Sequence, residues 1–399
     1  MLRPFSIKKT CQATLQHLWF FMVLILFSML WSSVSAQTTK INSENITNYS
    51  NPIENDIYFN GADGPYILND TLFRVSRQNQ FVKEINFKKD SLLVEVDNTD
   101  KDFFYFNLNE ANQIPKSDYL ASNKMLVISD IEGNYNAFAS FLFSNKVIDQ
   151  NHNWIFNISK LILVGDFVDR GKNVTQVLWL IYKLEQQAIA CGGQVHFILG
   201  NHELLNFQGK HRYNRLKYIN VAQEISGSKD KTEAIRYMYS ETSIIGKWLA
   251  TKNVIEKIGD YIFVHAGLSE ELLDYKLPLN VINTKARSQF QETDFNDDKT
   301  IRFLYGSQGP LWYRGLVLNT EQYPSIKQKH LDEILDYYKA KKVVIGHTTV
   351  NNISKTYEGK VIRVDVLHGT TKFSGRTKGL LIEDGIEYIV DDLGNKIPL

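Results

Sequence analysis

Five short apolar runs in this chain each end in a side chain that can bind a metal ion. The runs MLVIS, LILVG, VHFILG, YIFV and KVVIG are followed by Asp130, Asp166, Asn201, His265 and His347. Any one of these residues alone would be typical of a turn or a helix cap. Carboxylate, amide and imidazole ligands together suit divalent cations such as Mn, Fe, Zn or Mg. The repeated placement therefore predicts one metal site built from distant parts of the sequence.

The strands that precede these residues are the elements that must bring them together. From Lys124 onward, apolar runs alternate with amphipathic segments at helical spacing, which predicts parallel strands joined by helices in an α/β domain. In open α/β sheets, ligands bind at the carboxyl ends of the strands, where the five polar residues stand. Before this region, short runs separated by turn residues predict a small antiparallel β unit over residues 57–120.

A cluster of charge follows the second apolar run. In LILVGDFVDRG, residues 161–171, Asp166 is followed closely by Asp169 and Arg170. Burying such groups beside an apolar strand is costly unless bound partners compensate their charge. An ion-paired loop would account for these three charges but not for the polar residues at the other strand ends. A functional site is therefore the favoured interpretation.

The N-terminal 36 residues have the layout of a secretory signal peptide. Three basic residues precede the apolar segment LWFFMVLILFSMLW, and SVSA ending at Ala36 is typical of a cleavage site. We expect cleavage and export to a periplasmic or secreted location, with a flexible polar leader over residues 37–56. The alternative is an uncleaved chain, bound to a membrane through an anchor at residues 18–36.

The composition is that of a globular protein and excludes some classes of function. A net charge of +1 over 399 residues argues against a protein that coats nucleic acid. Of the two cysteines, Cys11 lies in the expected signal peptide. Once that segment is removed, Cys191 is the one cysteine that remains, so no internal disulfide is expected.

Four ordered motifs resemble the signatures of one enzyme family. They are GDFVDRG (165–171), GNHE (200–203), HAG (265–267) and GHT (346–348). The set resembles the calcineurin-like metallophosphoesterases, in particular the phosphoprotein phosphatases and the related diadenosine tetraphosphate hydrolases. A further segment, GPLWYRG at 309–315, is similar to the bacterial-type branch that includes the Shewanella-like phosphatases.

This resemblance covers roughly residues 122–390 and carries an expected fold and an expected metal centre. The implied fold is an α/β protein whose catalytic domain, 122–399, is a β-sandwich with flanking helices, beside the small β-rich N-terminal unit. The implied cofactor is a pair of divalent metal ions, with Mn favoured over Fe, Zn or Mg. The implied ligands are Asp166 as the bridge, Asp130 and Glu132 for the first ion, and Asn201, His265 and His347 for the second. A water between the ions, deprotonated near neutral pH, would attack phosphorus directly.

Four further residues have implied roles in handling the substrate. Arg170 and Arg314 would bind phosphate oxygens through their planar guanidinium groups. His202 would protonate the leaving oxygen, while Asp169 would hold its imidazole in the right tautomer and raise its pKa. The bound ions and the phosphate would then offset the buried charge of the GDFVDRG loop.

The first family motif is altered in this chain. The pattern G-D-x-H-G is here SDIEG, with Ser129 in place of Gly and Glu132 in place of His. Because a carboxylate is a good ligand for hard cations, we expect Glu132 to bind the first ion and to bias that site toward Mn or Mg. The alternatives are a single-metal enzyme and a damaged, non-catalytic site.

Three functions are consistent with the sequence. The favoured one is a phosphomonoesterase of the protein-phosphatase type, acting on a phosphorylated protein or small molecule. The first alternative is a dinucleoside polyphosphate hydrolase, which differs in substrate alone. The second is a catalytically silent phosphate-binding homologue, against which the retained His202, Asp169, Arg170 and Arg314 argue, since a pure binder has no use for a general acid.

Overall fold

This computed structural model describes residues 46–49, 59–109, 113–295 and 298–399. The described part of the chain begins with antiparallel strands. Four strands form one sheet in the spatial order β1-β4-β3-β2, and two more pair separately. Their bounds are β1 Ile46–Tyr49, β2 Asp63–Leu68, β3 Thr71–Val75, β4 Phe81–Ile85, β5 Leu92–Glu95 and β6 Phe103–Phe106. We call β1–β6 the N-terminal β unit. Asn69, at φ 51°, begins the turn between β2 and β3, a conformation that Asn tolerates well.

Two six-stranded sheets follow and form a sandwich. Their strands are β7 Asp118–Tyr119, β8 Lys124–Ile128, β9 Lys160–Val164, β10 Gln194–Ile198, β11 Ile255–Ile258, β12 Tyr261–Val264, β13 Lys342–Ile345, β14 Ser354–Thr356, β15 Val361–Arg363, β16 Lys378–Glu383, β17 Ile386–Asp391 and β18 Lys396–Pro398. The first sheet has the order β10-β9-β8-β16-β17-β18, and the second has the order β14-β15-β13-β12-β11-β7. Within them, β8, β9 and β10 are mutually parallel, as are β12, β13 and β15.

The period-2 pattern of the strands explains how the layers pack. Met125 and Val127 of β8 belong to the core between the two sheets, together with Phe263 of β12 and Val344 of β13. Alternate residues of the same strands, such as Leu126, pack instead against the flanking helices. Because both faces of these strands are covered, the runs are apolar throughout rather than alternating with polar residues.

Helices cover the outer faces of the sandwich. Their bounds are α1 Tyr135–Ser144, α2 Val174–Ala190, α3 Asn201–Phe207, α4 Leu216–Ser226, α5 Lys231–Met238, α6 Ile244–Leu249, α7 Leu272–Tyr275, α8 Leu279–Arg287, α9 Lys299–Tyr305 and α10 Gln328–Tyr337. Helices α1 and α2 follow β8 and β9 as crossover connections, as the alternating pattern predicts. The predicted α/β fold, a β-sandwich with flanking helices and a β-rich N-terminal unit, is confirmed.

The N-terminal β unit shares the main hydrophobic core with the sandwich. The rings of Phe106 and Trp179 stack at 4.3 Å, and Nε1 of Trp179 donates to the carbonyl of Pro65 at 2.7 Å. Strand β7, which the sequence placed with the N-terminal unit, is an edge strand of the second sandwich sheet. The boundary at residue 120 therefore does not separate two independent cores.

Two expectations concern the first 56 residues. Part of the expected flexible leader, Ile46–Tyr49, is a strand hydrogen-bonded to β4, so this part is paired chain rather than a free leader. The rest of residues 37–56 and the predicted signal peptide, 1–36, lie outside the described residues. Among those that are described, no helix has both the length and the apolar character needed to cross a membrane.

Candidate active site

The five strand-end residues predicted from the sequence come together at one edge of the sandwich. Nε2 of His265 lies 3.1 Å from Oδ2 of Asp166, 3.1 Å from Oδ1 of Asn201 and 3.1 Å from Nδ1 of His347. Asp130 joins them through Oδ2, which accepts a hydrogen bond from the backbone N–H of His347 at 3.1 Å. Since β8–β10 and β12–β13 are parallel, their carboxyl ends meet at this edge.

The charges of this cluster perturb one another strongly. Burial would raise the pKa of Asp166, but the imidazoles of His265 and His202 outweigh it and hold that pKa below its usual value. Burial and then the charge of His265 depress the pKa of His347. Burial raises the pKa of Asp130, and the nearby carboxylate of Asp365 raises it further. Buried groups of both signs at such short range are typical of functional sites.

A buried histidine–aspartate pair stands beside the cluster. Nδ1 of His202 lies 2.6 Å from Oδ2 of Asp169. Burial disfavours the imidazolium, but the carboxylates of Asp166 and Asp169 outweigh it and raise the pKa of His202. The other oxygen of Asp169 accepts hydrogen bonds from the side-chain amides of Asn206 and Asn214. The two amides thus hold the carboxylate of Asp169 in position, and that carboxylate orients the imidazole of His202.

Glu203 organises the turn that carries Asp166. Its carboxylate accepts from the backbone N–H groups of Asp166, Phe167 and Gly200, at 3.0, 2.8 and 2.7 Å. Glu203 is fully buried and lines no part of the cleft. Its role is therefore to fix the backbone of the Asp166 turn, although it belongs to the GNHE motif.

Several of the predicted residues have left-handed backbone conformations. The φ angles are 53° at Asp130, 47° at Glu132, 59° at Asp166, 71° at Asp169 and 65° at His347. Non-glycine residues adopt this region at a cost of about 1–3 kcal/mol, and such residues cluster at functional sites. At Gly346 the backbone approaches so closely that an added Cβ would lie 2.5 Å from Oδ2 of Asp130, which explains the glycine.

The arginines and Glu132 complete the predicted set. Glu132 forms an ion pair with Arg170, and both side chains lie at the cleft. Arg314 donates from one guanidinium nitrogen to the carbonyl of His347 at 2.7 Å and to Oγ1 of Thr348 at 3.1 Å. This leaves its remaining N–H groups for a ligand in a cleft of about 670 Å³.

The residues present fit a pair of divalent cations. There are two groups of three residues in which the ligand atoms lie within 4.8 Å of one another. One group is Asp166, His265 and His347, and the other is Glu132, Asp166 and His202. Asp166 is common to both groups, as a bridging ligand would be. Nε2 of His347 is buried without a hydrogen-bond partner among the described residues, although a buried ring nitrogen normally has one.

A family comparison decides between the interpretations of this geometry. The model of the calcineurin-like phosphoesterases matches residues 124–351, which contain all five strand-end runs in full and reach past His347. The chain belongs to the calcineurin-like phosphoesterase family. The class of phosphoric ester hydrolases follows from that membership, and the family resemblance inferred from the motifs is confirmed.

Individual relatives place this phosphoesterase more narrowly. It is 32% identical over 232 residues to Shewanella-like protein phosphatase 1 of Plasmodium berghei, a match that covers 57% of this chain and 61% of that one. It is 23% identical over 321 residues to Shewanella-like protein phosphatase 2 of Arabidopsis thaliana, covering 70% and 78%. The cold-active protein-tyrosine phosphatase of a psychrophilic Shewanella species superimposes with a TM-score of 0.74 at 29% identity, covering 85% of this chain and 99% of that structure.

The loop of this phosphoesterase that carries Asp169 and Arg170 is held from behind by the start of α4. Nε of Arg215 donates to the carbonyl of Arg170, and Nζ of Lys217 donates to the carbonyl of Lys172, both at 2.7 Å. Lys217 is buried and lies 3.2 Å from the buried carboxylate of Asp63 on β2. The N-terminal β unit thus supports the loop. Sequence analysis missed this contact because no local pattern links residues so far apart.

A sixth strand of the phosphoesterase also ends in an acidic residue that sequence analysis missed. Asp365 follows β15, which is parallel to β13, and its carboxylate lines the same cleft. Burial raises its pKa to about 6, and a hydrogen bond from Oγ1 of Thr349 at 3.1 Å opposes that shift. The signal was present in the run VIRVD, in which a possible metal ligand follows a strand as in the other five runs.

Proposed function

We propose that this protein is a metal-dependent phosphomonoesterase of the protein-phosphatase type. The observation that carries the proposal is the position of Asp166 at the edge of one cleft, where ligand atoms of His265 and His347 and the carboxylate of Glu132 all lie within 4.8 Å of its carboxylate. That arrangement is what a bridging ligand between two ions requires.

In this proposal Asp130, Glu132 and Asp166 hold one cation, and Asp166, Asn201, His265 and His347 hold the other. Mn²⁺ is the proposed ion at both positions, since oxygen donors dominate the first set and mixed oxygen and nitrogen donors the second. A bound pair of divalent cations supplies Lewis-acid stabilisation of the phosphoryl oxygens and lowers the pKa of the attacking water.

The protein's own groups then bind the phosphate and deliver a proton. Arg314 is oriented by His347 and Thr348 so that its free N–H groups can bind two phosphate oxygens. Arg170 would bind the phosphate at a second point once its ion pair with Glu132 has opened. His202, whose pKa is raised by Asp166 and Asp169 against the effect of burial, would donate a proton to the leaving oxygen. Asn206 and Asn214 keep Asp169 aligned throughout.

The names of the relatives support a protein substrate. Two of them are protein phosphatases by name, and the superimposed structure is a protein-tyrosine phosphatase. A phosphorylated protein or peptide is therefore our proposed substrate class, ahead of small phosphate esters. We also propose that the chain is exported, on the strength of its N-terminal apolar segment and SVSA site.

The experiment that tests this function is a substrate comparison at fixed Mn²⁺. Purified protein would be assayed with p-nitrophenyl phosphate, phosphotyrosine and phosphoserine peptides, and a dinucleoside tetraphosphate. The proposal expects phosphate release from the monoesters. Release from the dinucleoside tetraphosphate alone would favour the polyphosphate hydrolase, and no release from any of them would favour a silent binding homologue.

A further inference from the structure

The outer part of the cleft contains a cation that the proposed chemistry does not use. Arg215 lines the cleft at its exposed rim, just before α4. Its Nε donates to the carbonyl of Arg170 at 2.7 Å, which fixes the side chain beside the loop that carries Asp169 and Arg170. The two terminal nitrogens of its guanidinium group remain for other partners.

In the described part of the chain, Arg215 has no acidic partner, unlike Arg170 and Lys172 on the adjacent loop. Arg170 pairs with Glu132, and Nζ of Lys172 lies 3.3 Å from Oδ2 of Asp97. No carboxylate of the described residues lies within 4.0 Å of Arg215. The arginine is therefore held in place by a neutral carbonyl while its charge is left uncompensated.

Several other residues that line the cleft are uncharged. Asn134 donates to the carbonyl of Gly369 at 2.7 Å, and Asn136 donates to that of Thr370 at 3.3 Å. Leu367 stands exposed beside them. The cleft is also lined by the cations Arg170, Lys172, Arg215 and Arg314. The proposed metal ions would offset the carboxylates there, so the cleft would attract an anionic ligand.

We propose that Arg215 is a specificity-determining residue that binds an acidic side chain, Asp or Glu, close to the phosphorylated residue of a peptide substrate. This inference rests on the proposed protein-phosphatase function. A guanidinium group with two free nitrogens matches the two oxygens of a carboxylate. An extended peptide advances about 3.3 Å per residue, so an acidic residue within about three positions of the phosphorylated one can reach the rim.

Matched phosphopeptides test the proposal. A phosphotyrosine peptide would be made with Glu, Ala or Lys at the three positions on each side, and kcat/KM measured for the Mn²⁺-loaded wild type, Arg215→Ala and Arg215→Glu. We expect the wild type to prefer Glu over Ala peptides by about 3- to 10-fold. Arg215→Ala should remove that preference, mainly through KM, and Arg215→Glu should favour the Lys peptide.

The control variant is Lys229→Glu, which makes the same change of net charge at an exposed residue beyond the end of α4. It should keep the wild-type preference. If wild type and Arg215→Ala discriminate equally, or if Lys229→Glu loses the preference as fully as Arg215→Glu does, the role of Arg215 is contradicted. Failure of the wild type to hydrolyse any phosphopeptide would instead contradict the proposed function.

Discussion

Nδ1 of His202 lies 2.6 Å from Oδ2 of Asp169, inside a network in which Asn206 and Asn214 bind the other carboxylate oxygen. Replacing Asp169 by Asn removes a charge that raises the pKa of His202. Because the proton donor must be protonated, activity is lost as pH rises through that pKa. We expect Asp169→Asn to move the descending limb of the kcat profile to lower pH and to reduce kcat by about 10²- to 10⁴-fold.

The control for this prediction is Asp336→Asn on the exposed face of α10, which should leave the profile unchanged. If the descending limb of the kcat profile lies at the same pH in Asp169→Asn as in the wild type, the group whose titration causes that limb is not His202.

The carboxylate of Glu132 forms an ion pair with Arg170, and it also belongs to the candidate metal-binding group with Asp166 and His202. If it is a ligand, Glu132→Ala should lower bound metal and turnover together. Glu132→His should retain much of both, because imidazole is also a good ligand for these ions. Metal content by mass spectrometry and turnover with p-nitrophenyl phosphate would be measured on the same samples. Full activity of Glu132→Ala with unchanged metal content would contradict the assignment.

Lys217 links the N-terminal β unit to the loop that carries Asp169 and Arg170, through Asp63 on one side and the carbonyl of Lys172 on the other. Lys217→Met alone leaves Asp63 buried without its counter-charge, and we expect it to destabilise the fold by about 3–5 kcal/mol. The double variant Asp63→Leu, Lys217→Met should recover much of that stability. It should still bind phosphate more weakly, because the hydrogen bond to the loop is gone.

Denaturant unfolding and inhibition by inorganic phosphate would be measured for both variants. Lys285→Met, which breaks the half-exposed pair with Asp298, is the control and should change stability by about 1 kcal/mol or less. Wild-type phosphate affinity in the double variant would show that the β unit does not support the loop.

Arg314 is held by hydrogen bonds to the carbonyl of His347 and to Oγ1 of Thr348, and we propose that this orientation serves two-point binding of phosphate. Lysine keeps the charge but cannot copy the planar pair of N–H donors. We expect Arg314→Lys to lower kcat/KM by about 10- to 100-fold, as the loss of charge-assisted hydrogen bonds predicts. The exposed Arg302→Lys on α9 is the matched control. Equal kcat/KM for Arg314→Lys and wild type would remove Arg314 from the phosphate site.

Much of the candidate site followed from the sequence because strand order and direction constrain it. The run LILVG belongs to the parallel strands of one sheet and KVVIG to those of the other, so the polar residues of each set must lie at the carboxyl ends of its strands. The packing of the two sheets then brings both sets to one edge, where Asp166 and His347 are neighbours. The flanking helices followed from the same alternation. These inferences needed only local patterns and general rules of α/β packing.

Contacts that depend on non-local pairing did not follow from the sequence. The partner of Lys217 is set by how β2 packs against α2 and α4, which no spacing encodes. The pairing of Glu132 with Arg170 depends on left-handed backbone at both residues, with φ of 47° and 49°. Asp365 was detectable, but its run VIRVD contains an arginine and does not stand out as a buried strand.

The central claim is that side chains from five strand ends enclose a pair of cations. Metal stoichiometry of the Mn²⁺-reconstituted protein, measured by mass spectrometry beside Asp166→Asn, tests it most directly. The account predicts two tightly bound ions per chain in the wild type and loss of both bound metal and phosphate-ester hydrolysis in the variant. Hydrolysis that continues in a wild-type protein stripped of all bound metal would contradict it.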